Sequence, residues 1–245
     1  YADIEKHNYC ISPEALRNVI TNKTKVLIIQ HTFGIPADLD SLMPIARDHD
    51  LYVIEDCAVS LGSRYKGKLT GTFGDAAIVS FELSKTITSC RGGMLLINTN
   101  KLKCKEKHAR YYQKIPEQSA AYTANILFQI GLSGILYRPV TINLGKYFIY
   151  LMFKIGIFKY STPDAEQQAR ISENYMMKLS DQQAVLLNRQ WIRLNKICEH
   201  SKATVLYYLN NLQHDQMLTP FKIKKDDFIN LIRYPILVDN RDELI

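Results

Sequence analysis

Residues 26–54 hold two continuous apolar runs separated by an amphipathic stretch. The first run, residues 26–29, reads as a strand buried on both faces, and Gly34 and Pro36 close it. Asp38 is placed to cap a helix with apolar positions at Leu39, Leu42, Met43, Ile45 and Ala46, and residues 51–54 read as the next buried strand. Two strands joined through a helix lie parallel with a right-handed crossover. The expected class is therefore α/β with a mostly parallel sheet. Residues 76–81 and 94–97 supply a third and a fourth strand, joined by a segment rich in glycine, serine and threonine.

Upstream, Ser12-Pro13-Glu14 starts a helix with a capping hydroxyl, a proline in the first turn and an acid near the positive end of the dipole. Downstream come a basic helix near residues 101–112, an apolar and aromatic block over 126–158, and a polar stretch over 161–173. Ser180 and Gln183 form a capping box for one long helix running to about Leu212, and residues 231–238 read as a strand of a second, smaller domain. The expected division is a large domain over 1–178, with a helical insertion near 124–160, and a linking helix plus partial C-terminal domain over 179–245.

Of the 245 residues 47% are apolar and 22% charged, which fits a globular chain and excludes disorder. The net charge of +7 favours anionic partners such as phosphorylated small molecules, nucleic acid or a lipid surface. The lysine-rich pieces, 101–107 and 222–225, are short and lack interleaved aromatics, so nucleic acid is not an expected partner. Five cysteines without a CxxC pair point to reduced thiols in a cytoplasm, with no metal site and no disulfide framework. The chain lacks an initiator methionine and a signal peptide, and reads as a fragment cut at both ends.

In open parallel sheets, ligands sit beyond the carboxyl ends of the strands. Glu55 and Asp56 stand at such an end on the second strand; Ser80, Ser84 and Lys85 stand at or just past the end of the third. A carboxylate, hydroxyls and an amine brought to one crevice suit pyridoxal 5'-phosphate (PLP). That cofactor needs a lysine for its aldehyde, a carboxylate beside its pyridine nitrogen and hydroxyl or N–H donors for its phosphate.

Residues 25–99 carry an acidic "IED" strand end, a "GT.GD" turn, an "SF...K" segment and a "GGM" strand. This combination resembles the DegT/DnrJ/EryC1/StrS aminotransferases, PLP enzymes of fold type I acting mainly on nucleotide-linked keto sugars. The resemblance continues more faintly through the helix at 180–212 and the "RYPILVDNRDEL" tail. It implies a three-layer large domain, a homodimer, an amino-acid donor such as glutamate, and a place in polysaccharide biosynthesis. Asp56 matches the aspartate that pairs with the pyridine nitrogen. Lys85 matches the lysine that forms the Schiff base and shuttles protons, and Ser80 matches a hydroxyl on the phosphate. Family members with histidine in place of this lysine are dehydratases, so Lys85 favours transamination.

Three positions depart from the family pattern. Val59 stands where glutamine or histidine usually packs on the cofactor, Arg91 stands where an acid often precedes the glycine pair, and Met176 interrupts the "N.RM" motif. Two alternatives therefore stand beside the aminotransferase: a catalytically degenerate regulatory or membrane-associated scaffold, and a PLP-dependent sugar dehydratase. The apolar block over 126–158 reads either as a helix pair packed on protein or as an interfacial pair at the inner face of a membrane. In the second case Arg138, Lys146, Lys154 and Lys159 would meet lipid phosphates.

Overall fold

The computed structural model describes residues 1–98, 105–158, 168, 170, 175–212, 217–218, 221, 226–238, 240 and 242. The chain divides into two compact units, one made of residues 1–80, 94–103 and 193–245, the other of residues 81–93 and 104–192.

The first unit is built on a four-stranded sheet of β1 (Val26–Gln30), β2 (Tyr52–Asp56), β5 (Ala76–Ser80) and β6 (Gly93–Ile97), in the order β1-β2-β5-β6. β1, β2 and β5 are parallel, as the apolar runs predict. β6 runs the other way: the Asn98 amide at its end donates to the Asp75 carbonyl at the start of β5. The sheet is thus mixed but mostly parallel.

Helix α1 (Pro13–Val19) starts as expected, with the Ser12 hydroxyl accepting from the Ala15 amide. Helix α2 (Leu39–Asp48) connects β1 to β2. Leu16 from α1 and Leu39, Leu42, Ile45 and Ala46 from α2 bury against Leu27, Ile29 and Val53 of the sheet. Each large apolar side chain buried here contributes about 1.5–3 kcal/mol. Asp38 does not cap α2. Its carboxylate instead accepts hydrogen bonds from the Ser41 hydroxyl at 2.8 Å and the Tyr65 phenol at 3.1 Å.

Burial on both faces of β1 is not observed. The strand alternates, with Leu27 and Ile29 inside and Val26 and Ile28 exposed at 46% and 61%. Both α1 and α2 pack on one side, and the connection from β2 to β5 contains no helix, only the hairpin of β3 (Arg64–Tyr65) and β4 (Lys68–Leu69). Its two-residue turn, Lys66-Gly67, has positive φ at both positions, as a tight hairpin of this twist requires.

Helix α7 (Leu194–Asn211) and the C-terminal segment form a second core in this unit, where Val205, Phe221 and Ile229 bury against Ile35. The tail expected as one strand over 231–238 is irregular until β8 (Leu237–Val238), which pairs antiparallel with β7 (Met217–Leu218).

The second unit contains α3 (Lys105–Lys114), α4 (Ala120–Leu136), α5 (Ile142–Lys154) and α6 (Asp181–Trp191). The capping box at Ser180 and Gln183 forms as read from the sequence. The single long helix does not: α6 ends at Trp191, and Arg193 at φ −97°, ψ 0° leaves helical geometry before α7 begins. The apolar block is a pair of helices, α4 and α5, with Ile149, Met152 and Phe158 buried between them and Leu132, Leu136 and Phe153 packed alongside. Most of the polar stretch over 161–173 lies outside the described residues, as do Asn174, Lys159 and the run 222–225.

Candidate active site

β2 ends on Asp56, whose register partner on β5 is Ile78. Ser80 lies two residues past Ile78, and side chains two apart share a face, so Asp56 and Ser80 stand on one side of neighbouring strand ends. Both are half-buried. The Asp56 Oδ1 accepts the Ala58 amide at 3.0 Å, while Oδ2 has no hydrogen-bond partner among the described residues. One carboxylate oxygen is thereby fixed by the backbone and the other left open. Gln30, at the end of β1, is the register partner of Asp56 on its other side and shares its face.

The strand end is clamped through its neighbours. The His31 amide donates to the Asp56 carbonyl at 3.2 Å and the Cys57 amide to the Ile78 carbonyl at 2.9 Å. Glu55, facing opposite to Asp56, is fully buried, as is His31. The Ala37 amide donates to His31 Nδ1 at 3.1 Å, which places the ring proton on Nε2, and Nε2–H donates to Glu55 Oε2 at 3.0 Å. Glu55 also accepts the amides of Gly71 at 2.7 Å, Phe73 at 2.6 Å and Gly74 at 2.7 Å. Burial opposes the charge on Glu55, but the His31 hydrogen bond and the Gly74 and Gly71 amides outweigh it and hold its pKa below the ordinary value. The "GT.GD" turn is thus fastened to β2 immediately before β5 begins. This sets the relative register of the two strands that present Asp56 and Ser80.

His31, Glu55 and Cys57 place one donor atom each within 4.8 Å of one another, the geometry of a small cation site. Their chemistry does not suit one. Both imidazole nitrogens and both Glu55 oxygens already have partners, and burial pushes the Cys57 thiol up to about 12, so the thiolate a metal would bind is suppressed. The four described cysteines, Cys10, Cys57, Cys90 and Cys198, are buried free thiols.

In the second unit, Lys85 is half-buried in the loop that follows β5. The loop closes on itself: the Phe81 amide donates to the Gly92 carbonyl, and the Ser89 amide and Thr88 hydroxyl donate to the Phe81 carbonyl. Helix α6 fastens it further. Gln190 accepts the Thr88 amide at 3.0 Å and donates to the Thr88 carbonyl at 2.7 Å, and the buried Gln183 donates to the Ser89 carbonyl at 2.9 Å. Val59 is half-buried in the turn after β2, and Met176 is exposed at 43%.

Sequence reasoning placed Asp56 and Ser80 at their strand ends but missed His31, Gln30 and the two glutamines. The capping box marked Gln183 only as a cap. Strict alternation along β2 was the one available sign that Glu55 and Asp56 face opposite ways.

Over 99% of its length the chain has the fold of a sugar aminotransferase from Micromonospora echinospora, with a TM-score of 0.67 at 16% identity and coverage of 56% of that protein. The fold is therefore that of the PLP aminotransferases. Residues 1–138 match the DegT/DnrJ/EryC1/StrS aminotransferase family, and the chain belongs to that family. It is 41% identical over 102 residues to the GDP-perosamine synthase of Escherichia coli O157:H7, a match covering 42% of this chain and 28% of that protein. It is 37% identical over 102 residues to a dTDP-4-dehydro-2,6-dideoxy-D-glucose 3-dehydratase of Saccharopolyspora spinosa, covering 42% of this chain and 22% of that protein. The matched segments span less than a third of each of these relatives.

Proposed function

We propose that the protein is a PLP-dependent aminotransferase that moves an amino group from an amino acid, glutamate in the simplest case, to a nucleotide-linked keto sugar. The observation that carries this is the presentation of Asp56 and Ser80 on one face of adjacent strand ends, with Asp56 Oδ2 open, in a chain of this family. Asp56 would hold a proton on a pyridine nitrogen, and Ser80 would bind phosphate. Lys85, at the family's lysine position, would hold the cofactor's aldehyde carbon and move protons beside it. When bound, PLP supplies the electron sink that makes transfer of the amino group feasible. Residues 1–178 would form the large domain of a cytoplasmic homodimer and residues 179–245 the start of a small one. Polysaccharide biosynthesis would be its setting. The test is the visible absorbance band of lysine-bound cofactor in the purified protein. The band should be present in wild type and absent in Lys85→Ala; a band unchanged in Lys85→Ala would reject the assignment.

One observation supports a second activity, since a relative of comparable identity is named as a 3-dehydratase. Sugar dehydration on the same cofactor is then the alternative, and Lys85 in place of histidine weighs against it. Product analysis separates the two, because amination leaves the donor's nitrogen on the sugar whereas dehydration removes water and leaves the sugar without nitrogen.

A further inference from the structure

Residues 118–158 contain no aspartate or glutamate, and carry Arg138, Lys146 and Lys154. Over α5 and its C-cap, Leu144, Phe148, Leu151 and Ile155 recur at the spacing of one helix face, with exposures of 81%, 44%, 45% and 55%. The inner face is different: Gly145, Ile149 and Met152 are buried, and a Cβ on Gly145 would lie 2.5 Å from the Leu136 carbonyl oxygen. The two helices therefore already satisfy one apolar face against each other while a second faces water. α4 adds Phe128 and Ile135, exposed at 53% and 57%. Lys154 lies on the flank of the apolar stripe with Tyr147 exposed beside it, and Lys146 lies on the opposite side of the helix, near the exposed Tyr150.

We propose that the outer face of the α4–α5 hairpin docks on an anionic lipid bilayer and lies in its interface. An apolar stripe flanked by Lys154 and Tyr147, in a basic hairpin without acids, matches the headgroup boundary, where acyl chains and lipid phosphates are found at successive depths. A second copy of the chain fits less well, because a two-fold contact through this face would bring like charges together with no acid to neutralise them. The 17 residues of α4 extend about 26 Å against a hydrocarbon core of about 30 Å, and no described helix is long and apolar enough to cross a membrane.

The proposal is independent of the amino-transfer chemistry and is tested by flotation of the protein with phosphatidylcholine vesicles, with and without phosphatidylglycerol. Wild type should float with the anionic vesicles at low salt, and binding should fall about tenfold in Lys154→Glu and less in Lys146→Glu. The double variant Leu144→Asp/Leu151→Asp should remain in the soluble fraction, with unchanged circular dichroism because both side chains are exposed. The lysine variants keep the test decisive if the leucine variant misfolds. Three results would overturn the proposal: no flotation of wild type, equal binding to neutral vesicles with no effect of the lysine changes, or binding lost in Ile28→Asp on the sheet and kept in the hairpin variants. Sedimentation showing a dimer that the leucine variant dissolves, without vesicle binding, would assign the face to a second copy instead.

Discussion

His31 and Glu55 meet 3.0 Å apart with neither side chain exposed, and together they hold a turn four residues long against the strand that ends in Asp56. Replacing Glu55 with alanine strands the His31 Nε2–H and three backbone amides in the interior. The expected loss is about 3–5 kcal/mol of unfolding free energy, measured by urea denaturation.

The same carboxylate gives a signed pH dependence. The folded pKa of Glu55 lies below its ordinary value of 4.5. Its contribution is therefore complete above the ordinary value and is lost as the pH falls through the lower, folded one. The gap in urea midpoint between wild type and Glu55→Gln should narrow on acidification below 4.5 and stay constant above it. A gap that widens in acid would show that Glu55 is buried in its protonated form.

Gly34 adopts φ +101°, and a Cβ there would lie 2.2 Å from the Asn230 carbonyl oxygen. That approach belongs to a network in which Ser63 donates to the Gly34 carbonyl and accepts the Asn230 amide, and Asn230 donates to the Leu61 carbonyl. Gly34→Ala meets both backbone strain and a clash with main chain. A loss of about 3 kcal/mol or more is expected in thermal or urea unfolding, and Gly67→Ala, with nothing near its Cβ, should cost about 1 kcal/mol through φ alone.

Gln190 pairs with both main-chain groups of Thr88 and so holds the loop that bears Lys85. Gln190→Ala should speed hydrogen exchange of the Thr88 amide by about tenfold to a hundredfold, consistent with about 1–3 kcal/mol for uncovering paired backbone groups. Exchange elsewhere in α6 should change little.

Asp56→Asn preserves the size of the side chain and its bond from the Ala58 amide while removing the charge. Under the proposed function, cofactor should still bind, and turnover should fall by about a hundredfold or more, because a neutral amide no longer keeps a ring nitrogen protonated. Asp56→Glu should recover part of this. Single-turnover amino transfer reads the effect directly.

Burial raises Cys10 and Cys198 to about 11 and Cys57 to about 12. These thiols should resist iodoacetamide at neutral pH in the folded protein and react on denaturation, as mapped by peptide mass spectrometry.

The elements read correctly from the sequence were legible because their signals are local. The apolar runs, the amphipathic helix between them and the Ser12 and Ser180 caps each involve neighbours within a few positions. Asp38 failed as a cap because Tyr65, 27 residues on, competes for its carboxylate. The Gln190–Thr88 pairing joins residues about a hundred apart, which no periodicity encodes. For the site, strand-end position located Asp56 and Ser80, but a histidine in a short turn gave no sign that it would reach Glu55. The bare side of the sheet was also invisible, since an apolar run looks the same whether one face or two are covered.

That bare side has a practical consequence. Val26, Ile28, Tyr52, Ile78 and Leu95 lay an oily plane across four strands, about 15 Å wide at the usual strand spacing. Such a plane gains free energy by meeting any similar plane, so association should rise steeply with protein concentration and solubility should fall in excluded salts such as ammonium sulfate. Ile28→Asp, on the edge strand β1 and at the most exposed position of the plane, should raise the concentration at which the chain precipitates without loosening the helices on the other side.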